Sequence, residues 1–434
     1  MNIKLTPIVH DLKESATLAI NQKALKLRNS GNQVFHFGFG QSPFPVSETL
    51  QSALRSSTSR KEYLPTRGLN KLHEVFVEYY NRRYDTQFQT DNIFVSPGSK
   101  ELLFQILFLL DGPLLIPTPS WVSYGPQAHL CQKEAIYLPT KKEEGYKLTA
   151  KTLEHYCLSE GLPDQSILIL NSPNNPTGSL YHPEELQALA GVCRRHNIIV
   201  ISDEIYGQVD FTYGKFSSFA KWYPEGTIVS TGLSKGFSAG GYRLGILALP
   251  SGFEVLNSAL KTMVSETFSA VSSPIQYAAV AAYEYHEDQE QFIQACTEIH
   301  RHILNFVYQK LIAADIGCAP PEGAFYLFPD FEKFKGSLNK MGIETSEKLC
   351  QFLLEKYHVA LLPGSDFYMP AHSLSARLSP VDYDGSLAIN EYLNGGELNT
   401  EFVQKWAPHV FLGCEALVQF TKDLTPAESV KSEL

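Results

Sequence analysis

The sequence lacks the features of a membrane protein and of a nucleic-acid-binding protein. Its longest apolar segment, Leu102–Leu110, is interrupted by Gln105 and is about half as long as the ~20 residues that a membrane-spanning helix needs. Basic side chains are in deficit, with 36 Lys and Arg against 46 Asp and Glu and a net charge of −10. A chain with this acidic excess is not expected to bind nucleic acid or an anionic membrane.

Cysteine is scarce and scattered, and two common nucleotide-binding motifs are missing. The seven cysteines include no C-x-x-C pair, which argues against a zinc or disulfide framework and predicts reduced thiols. Neither a G-x-G-x-x-G loop nor a Walker phosphate loop occurs. The N-terminus has no apolar core of the kind that marks a signal peptide. A cytoplasmic protein without a metal site is therefore predicted.

What the sequence does have is a globular composition and a regular alternation of strands and helices. The 434 residues are 44% hydrophobic and 19% charged, which are ordinary values for a folded protein. Continuously apolar runs, separated by helical stretches such as Pro183–His196, are typical of a parallel sheet covered by helices on both faces. The runs predict seven strands, at Ile93–Val95, Leu114–Ile116, Ala135–Leu138, Ile167–Leu170, Ile198–Ile201, Ile228–Val229 and Leu244–Leu249.

The two ends of the chain predict a second, smaller domain. Ala16–Ser30 and Glu287–Ala314 have helical patterns, and β runs follow at Ala324–Leu327 and Val359–Leu362. Tyr383–Asn399 is polar and contains glycine, which predicts an inserted surface loop. We therefore predict an α/β protein with a large domain, residues 49–285, built on a mostly parallel seven-stranded sheet flanked by helices. Residues 1–48 and 286–434 are predicted to form a smaller α+β domain beside it.

Ligands of open α/β sheets bind beyond the carboxyl ends of the strands, so the residues after each run are the candidates. The first run is followed by Gly98, Ser99 and Lys100 at the start of a helix, where free N–H groups suit an anion. The second run is followed by Trp121, whose ring could stack on a flat ligand. Plain helix capping and a core tryptophan are the alternatives for these two features.

The ends of the fourth and fifth runs carry amides, a carboxylate and a phenol. Asn171–Gly178 contains three asparagines, and its two prolines and one glycine fix the backbone. Asp203 ends the fifth run and Tyr206 lies three residues on. A carboxylate at the end of a buried strand is costly unless it meets a cation. Capping of the next helix is the alternative for Asp203.

The sixth run leads to Ser234 and Lys235, which stand among small residues eight positions before Arg243. A desolvated lysine beside another cation has a lowered pKa and can form a Schiff base. An arginine can hold a phosphate through two hydrogen bonds. A solvated loop lysine is the alternative. Together the strand ends offer a phosphate cradle, a stacking ring, an amide, a carboxylate, a phenol and a lysine, the set that pyridoxal phosphate requires.

In these residues the chain resembles the fold type I pyridoxal-phosphate enzymes, specifically the class I/II aminotransferases related to bacterial aspartate aminotransferase. The resemblance runs from Ser15 to at least Ser379. It implies the family's fold, the cofactor pyridoxal 5′-phosphate, and transfer of an amino group from an L-amino acid to a 2-oxo acid. The most specific motifs are Asn174-Asn175-Pro176-Thr177-Gly178, Ser202-Asp203-Glu204-Ile205-Tyr206, and Ser234-Lys235 with Arg243. Two further motifs also match, Pro321-Glu322-Gly323-Ala324-Phe325-Tyr326 and Tyr63-Leu64-Pro65.

The resemblance also implies a role for each matching residue. Lys235 would hold the cofactor as a Schiff base and act as the general base, and Asp203 would pair with the ring nitrogen. Asn175 and Tyr206 would donate to the phenolic oxygen, Tyr206 as a catalytic residue, and Trp121 would stack on the ring. The phosphate would be held by Gly98, Ser99, Lys100, Ser234 and Arg243.

The substrate site and the subunit arrangement follow from the same resemblance. Arg377 would clamp the α-carboxylate of the substrate, with Gly40 and Asn175 beside it. Tyr63 would reach the phosphate of the neighbouring subunit, which predicts a homodimer with shared active sites. Gly232 departs from the pattern, because some relatives have a phosphate-binding serine there. No residue is identified that would bind a distal carboxylate of the substrate.

Other reactions use the same scaffold. A carbon–sulfur β-lyase, a cyclopropane-forming synthase and a cyclising enzyme would share the cofactor anchors, so the sequence separates them poorly from an aminotransferase. Dependence of turnover on a 2-oxo acid, compared with release of pyruvate and ammonia from cysteine conjugates, would separate an aminotransferase from these alternatives. A non-catalytic binding module is disfavoured because Lys235, Asp203 and Arg377 are all present.

Overall fold

A computed structural model describes residues 1, 3–10 and 16–424, without the side chains of residues 16–19 and 21. Ser15, where the resemblance begins, lies outside the described residues. The described strands are β1 (Phe35–His36), β2 (Ile93–Ser96), β3 (Leu114–Thr118), β4 (Ala135–Pro139), β5 (Ser166–Asn171), β6 (Ile198–Asp203), β7 (Thr227–Gly232), β8 (Gly245–Ala248), β9 (Val359–Ala360), β10 (Leu362–Pro363) and β11 (Ala376–Arg377).

Seven of these strands form one sheet, in the order β2-β8-β7-β6-β5-β3-β4. All are parallel except β8, which is antiparallel to both of its neighbours. Strands β2, β3, β5, β7 and β8 are buried at every position, as expected where helices cover both faces. The predicted mostly parallel, seven-stranded sheet is confirmed.

Helices cover the sheet and build most of the rest of the molecule. They are α1 (Ala16–Asn29), α2 (Glu48–Ser57), α3 (Asn70–Tyr84), α4 (Ser99–Leu109), α5 (Tyr124–Leu130), α6 (Ala150–Glu160), α7 (Pro183–Arg195), α8 (Glu254–Glu266), α9 (Ser273–Tyr283), α10 (Glu287–Ala313), α11 (Lys335–Lys340), α12 (Ser346–Tyr357), α13 (Gly385–Leu393), α14 (Thr400–Trp406) and α15 (Pro408–Leu424). None of the described helices is both long enough and apolar enough to cross a bilayer.

One strand pair joins the N-terminal part of the chain to its C-terminal part, and a second pair lies within the C-terminal part. Strand β1 pairs in parallel with β9, so Phe35 lies opposite Val359. Strand β10 pairs antiparallel with β11, so Leu362 lies opposite Arg377. A single large buried cluster contains the β1 region, α10 and α12 to α15. We propose that these parts form the smaller domain, residues 1–48 and 286–434, and that residues 49–285 form the large one.

Two predictions of local structure are wrong. Ala324–Leu327 is not a strand, because only isolated bridges occur there, at Gly323 and Leu327. Most of Tyr383–Asn399 is helix α13 instead of a loop. The Asp384 side chain accepts hydrogen bonds from the first N–H groups of this helix, and a buried apolar face packs it against α10. Capping and tertiary packing therefore outweigh the polar composition of the segment.

Candidate active site

The carboxyl ends of β5, β6 and β7 lie side by side and are fixed to one another. Asn171 lies opposite Asp203, and Asp203 lies opposite Ser230. The Asn171 amide donates to the Asp203 carbonyl at 2.8 Å, while its side-chain oxygen accepts from the Asn175 N–H at 2.7 Å. These two hydrogen bonds of the Asn171 side chain place Asn175 and Asp203 at one edge of the sheet.

Asp203 is a buried carboxylate with two hydrogen-bond donors. The Tyr124 hydroxyl donates to its Oδ2 at 2.6 Å, and the Ile205 N–H lies 3.4 Å from its Oδ1. Burial raises the pKa of Asp203 to about 6, although the hydrogen bonds and the Lys235 charge oppose this rise. A cation next to this group would favour its ionised form. Sequence analysis missed Tyr124, whose only local signal is its position three residues after Trp121 at the start of α5.

Tyr206 lies on the same edge and is tied to a second tyrosine. Its hydroxyl is 2.7 Å from the hydroxyl of Tyr326, and both side chains are buried. Burial raises the pKa of Tyr206 well above its usual value, so the phenol stays protonated and can donate a hydrogen bond. Tyr326 ends the Pro321–Tyr326 motif, but no role was predicted for it.

Lys235 extends from the loop after β7 into the same space. Its amine donates to the Gly40 carbonyl and lies 5.5 Å from the ring centres of Tyr206 and Phe325. Desolvation lowers the pKa of Lys235 to about 8; the Arg377 charge lowers it further and the Asp203 charge opposes both. A lysine with this pKa is partly unprotonated near neutral pH, the state required of an amine nucleophile.

Gly98 and Arg243 meet at the N-terminus of α4. Gly98 has φ +92, and a Cβ there would overlap the Arg243 guanidinium. A Cβ on Gly245 would likewise overlap the Ser99 N–H group. Glycine at both positions lets the guanidinium and the free N–H groups of the helix converge on one small volume, which suits an anion.

The remaining residues predicted to hold a phosphate are Lys100, which follows Ser99 in α4, and Ser234, which precedes Lys235. The Lys100 amine lies 4.8 Å from the Trp121 ring centre, and burial, with a smaller effect of Arg243, lowers the pKa of Lys100. Ser234 is partly buried next to Lys235. Gly232 is also accounted for, because a side chain there would overlap the Leu244 carbonyl.

Arg377 is buried on β11, with 2% of its surface exposed. It donates to the Asn175 side-chain oxygen at 3.1 Å and to the Gly38 carbonyl at 2.9 Å. Its Nε has no partner among the described residues. A Cβ on Gly40 would lie 4.0 Å from Arg377 Nη1, so Gly40 borders the guanidinium. A buried guanidinium with an unused donor is expected to take an anionic ligand.

Tyr63 is the one predicted site residue that the structure does not bring to the others. Its side chain is 97% exposed in the segment between α2 and α3. The single chain therefore assembles the rest of the predicted site and leaves Tyr63 on the surface.

The assembled residues fit pyridoxal 5′-phosphate. The glycine-lined point at Arg243 and the start of α4 suits a phosphate, and the desolvated Lys235 amine suits an aldehyde. The buried Asp203 carboxylate suits a protonated ring nitrogen, because the cation would offset the cost of its burial. The donor set therefore agrees with the chemistry of the cofactor.

Comparison with known proteins gives the family. The family model described as aminotransferase class I and II matches residues 32–382. Aspartate aminotransferase of Bacillus subtilis is 33% identical over 377 residues, which cover 85% of this chain and 93% of that enzyme. Asparagine–oxo-acid transaminase of Streptococcus mutans is 30% identical over 377 residues, with the same two coverages of 85% and 93%.

Solved structures agree with the sequence relatives. Aspartate aminotransferase of Thermus thermophilus with maleate has a TM-score of 0.81 at 25% identity, covering 96% of this chain and 100% of that chain. Aspartate aminotransferase of Rhizobium meliloti has a TM-score of 0.82 at 25% identity, covering 97% and 99%. From these matches and the fit of the site to the cofactor, the chain belongs to the aminotransferase class I and II family and is a pyridoxal-phosphate-dependent aminotransferase.

Proposed function

We propose that Lys235 is the residue to which the cofactor is attached and the base that moves the substrate proton. The observation that carries this proposal is the position of the desolvated Lys235 amine. The charges of two buried groups, the Asp203 carboxylate and the Arg377 guanidinium, both act on its pKa. The carboxylate suits the ring of the cofactor and the guanidinium suits the substrate. The Lys235 amine can therefore react with the cofactor and also exchange a proton with the substrate.

Pyridoxal 5′-phosphate supplies an aldehyde that reacts with amines and a ring that delocalises negative charge from the substrate Cα. Asp203 would keep a proton on the ring nitrogen, and Tyr124 holds the Asp203 carboxylate in place through its Oδ2. The Lys235 Nζ, with its pKa lowered to about 8, would accept the proton from the substrate Cα and deliver it to the former aldehyde carbon of the cofactor. Such a base works best when its pKa is near the working pH.

The other predicted residues are proposed to hold and orient the cofactor. Asn175 and the protonated Tyr206 would donate to the phenolic oxygen of the cofactor, and Trp121 would stack on its ring. The phosphate would be held by Gly98, Ser99, Lys100, Ser234 and Arg243. Support comes from the close approach of Gly98 to Arg243 and of Gly245 to Ser99 at the start of α4, and from the position of Lys100 over the Trp121 ring.

Arg377 binds the α-carboxylate of the amino acid, with Gly40 and Asn175 beside it. Support comes from its burial, its free Nε and its two short contacts to Asn175 and Gly38. A guanidinium already held by two acceptors is oriented before the substrate arrives, which reduces the entropy lost on binding.

The amino donor is proposed to be aspartate or asparagine. Sequence relatives at 30–34% identity are named as aspartate aminotransferases and as an asparagine–oxo-acid transaminase. We further propose a cytoplasmic homodimer in which Tyr63 reaches the partner's phosphate site. The exposure of Tyr63 and the seven unpaired cysteines support these two points.

A donor screen tests the function. The purified enzyme is offered single L-amino acids with 2-oxoglutarate, pyruvate or oxaloacetate, and the new amino acid is quantified. We expect one mole of new amino acid for each mole of donor consumed, with aspartate or asparagine the best donor. Formation of pyruvate and ammonia from a cysteine conjugate, without need of an oxo acid, would contradict transamination.

A further inference from the structure

His36 is a buried imidazole at the end of β1, close to the substrate side of the site. It is 2% exposed, and its ring stacks on Phe39 with the ring centres 3.9 Å apart and the planes inclined by 18°. The side chain therefore folds back over the backbone of the residues that follow it. We call residues 36–40 the glycine segment, because Gly38 and Gly40 are its contacts to the site.

The His36 ring accepts a hydrogen bond from the glycine segment. The Gly38 N–H donates to His36 Nδ1 at 3.3 Å, so Nδ1 is unprotonated and the proton of the neutral ring is on Nε2. Burial lowers the pKa of His36 to about 4, with Asp382 raising it and Arg28 lowering it. The ring is therefore neutral at physiological pH and keeps its acceptor.

Asp382 binds the backbone N–H of His36. Its Oδ2 accepts from the His36 N–H at 3.0 Å and from the Arg28 guanidinium at 2.6 Å, and it lies 3.3 Å from His409 Nδ1. The backbone of His36 is thus tied to the chain five residues beyond Arg377. Ser379 N–H adds a bond to the Phe37 carbonyl at 2.8 Å.

Two backbone carbonyls of the glycine segment accept hydrogen bonds from the side chains of Arg377 and Lys235. The Gly38 carbonyl accepts from Arg377 at 2.9 Å, and the Gly40 carbonyl accepts from Lys235. His36 bonds the N–H of Gly38, whose carbonyl orients the guanidinium. A Cβ on Gly38 would lie 3.2 Å from His36 Cε1, so the ring and this backbone are in close contact.

We propose that His36 is a positioning residue for substrate binding: its neutral ring fixes the Gly38 peptide so that the Gly38 carbonyl aims Arg377 at the substrate carboxylate. The inference rests on the proposed role of Arg377. Removal of the Nδ1 acceptor frees the Gly38 peptide to turn and lets the guanidinium take other orientations. The loss then falls on substrate binding and leaves cofactor binding intact.

Two substitutions at His36 separate this role from packing. Asn Oδ1 can occupy the place of His36 Nδ1, whereas the polar end of Gln corresponds to Nε2 and fills more of the ring volume. An acceptor role predicts that His36→Asn keeps KM for the amino donor within about threefold and that His36→Gln raises KM about tenfold, the cost of one hydrogen bond. A packing role predicts the reverse order, because Asn leaves the larger cavity.

The measurements are kcat, KM for the amino donor, cofactor content and thermal midpoint, all on the holoenzyme. His73→Gln is the matched control, because His73 is also 2% exposed and its ring bonds a backbone carbonyl, that of Arg67. We expect this control to leave KM unchanged. A higher KM for His36→Asn than for His36→Gln, equal KM values, or a loss of cofactor in step with KM would overturn the proposal.

Arg377→Lys, measured in parallel, separates failure of this inference from failure of the proposed function. If Arg377→Lys raises KM and His36→Gln does not, only the role of His36 is wrong. If Arg377→Lys leaves KM unchanged, the carboxylate site itself is misplaced. If Arg377→Lys and His36→Gln both raise KM while His36→Asn keeps KM close to that of the parent enzyme, both proposals stand.

Discussion

Two regions of the site are built in different ways. The cofactor floor, residues 171–175, 203–206 and 235, comes from consecutive strand ends of one parallel sheet, with Asn171 and Asp203 paired in register. The substrate clamp, residues 36–40 and 377–382, joins chain segments 339 residues apart at the Gly38–Arg377 contact. Sheet pairing places the backbone of the floor, although Tyr124 and the Gly40 carbonyl also hold its Asp203 and Lys235 side chains. The clamp depends on the packing of both chain ends. Substitutions should therefore separate chemistry on the floor from binding at the clamp.

The largest effect is expected from Asp203→Asn on the floor. A neutral amide cannot favour a protonated ring nitrogen, so we expect kcat to fall by at least about 100-fold, with a smaller change in KM. Steady-state kinetics with a saturating amino donor measure the fall in kcat.

Glu204→Gln is the matched control for that variant. Glu204 is also buried, but its carboxylate accepts hydrogen bonds from Tyr80, Ser202, Ser218 and the Phe219 N–H, none of which is a predicted cofactor-binding residue. A fall in kcat for Glu204→Gln as large as that for Asp203→Asn would show that general disturbance of β6, and not the Asp203 charge, is responsible.

The next effect is expected from Arg377→Lys in the clamp. Lysine keeps the charge but cannot make two parallel bonds to a carboxylate, so we expect KM to rise about 10- to 100-fold with cofactor content unchanged. Substrate titration and cofactor absorbance measure the two quantities. Loss of cofactor in this variant would contradict the separation of clamp from floor.

The smallest effect is a pH dependence of stability that originates in the clamp. Burial lowers the pKa of His36 from 6.5 to about 4, so between these values the unfolded chain binds the extra proton and the folded chain does not. Stability contributed by neutral His36 is present above pH 6.5 and is lost as pH falls toward 4, by up to about 1.4 kcal/mol per pH unit.

His36→Asn removes this titration, so its unfolding free energy should fall less steeply with decreasing pH than that of the parent. Denaturant unfolding at several pH values between 4 and 6.5 measures the two slopes. His300, whose pKa burial lowers to about 3, stays in both proteins and provides a common background. Identical slopes would show that His36 does not stay neutral in the folded state.

The same comparison explains how much of the site could be predicted from sequence. The floor residues follow apolar runs, and parallel strands end at one edge, so local patterns were sufficient to predict Asn175, Asp203 and Lys235 as neighbours. Tyr124 was missed because its contact with Asp203 depends on where α5 packs. The roles of His36 and Asp382 were missed because their contact joins residues 346 positions apart, which no local pattern reveals.

Elements outside the floor show the same limit. The strand predicted at Ala324–Leu327 was inferred from β-forming residues, but the chain there forms only isolated bridges. The polarity of Tyr383–Asn399 predicts a loop, whereas Ala388 and Ile389 are buried in helix α13. In both cases tertiary packing decided the backbone, as is usual for short segments of mixed composition.

The central claim is that the Lys235 amine carries the cofactor between Asp203 and Arg377. Reduction of the holoenzyme with borohydride, followed by peptide mass spectrometry, tests it directly. Lys133, whose pKa is also lowered by burial and which has no proposed role in the site, is the control lysine. We predict a single modified residue, Lys235, with labelling abolished in Lys235→Ala and retained in Lys133→Ala. Label on Lys133, or an unchanged yield from Lys235→Ala, would contradict the account.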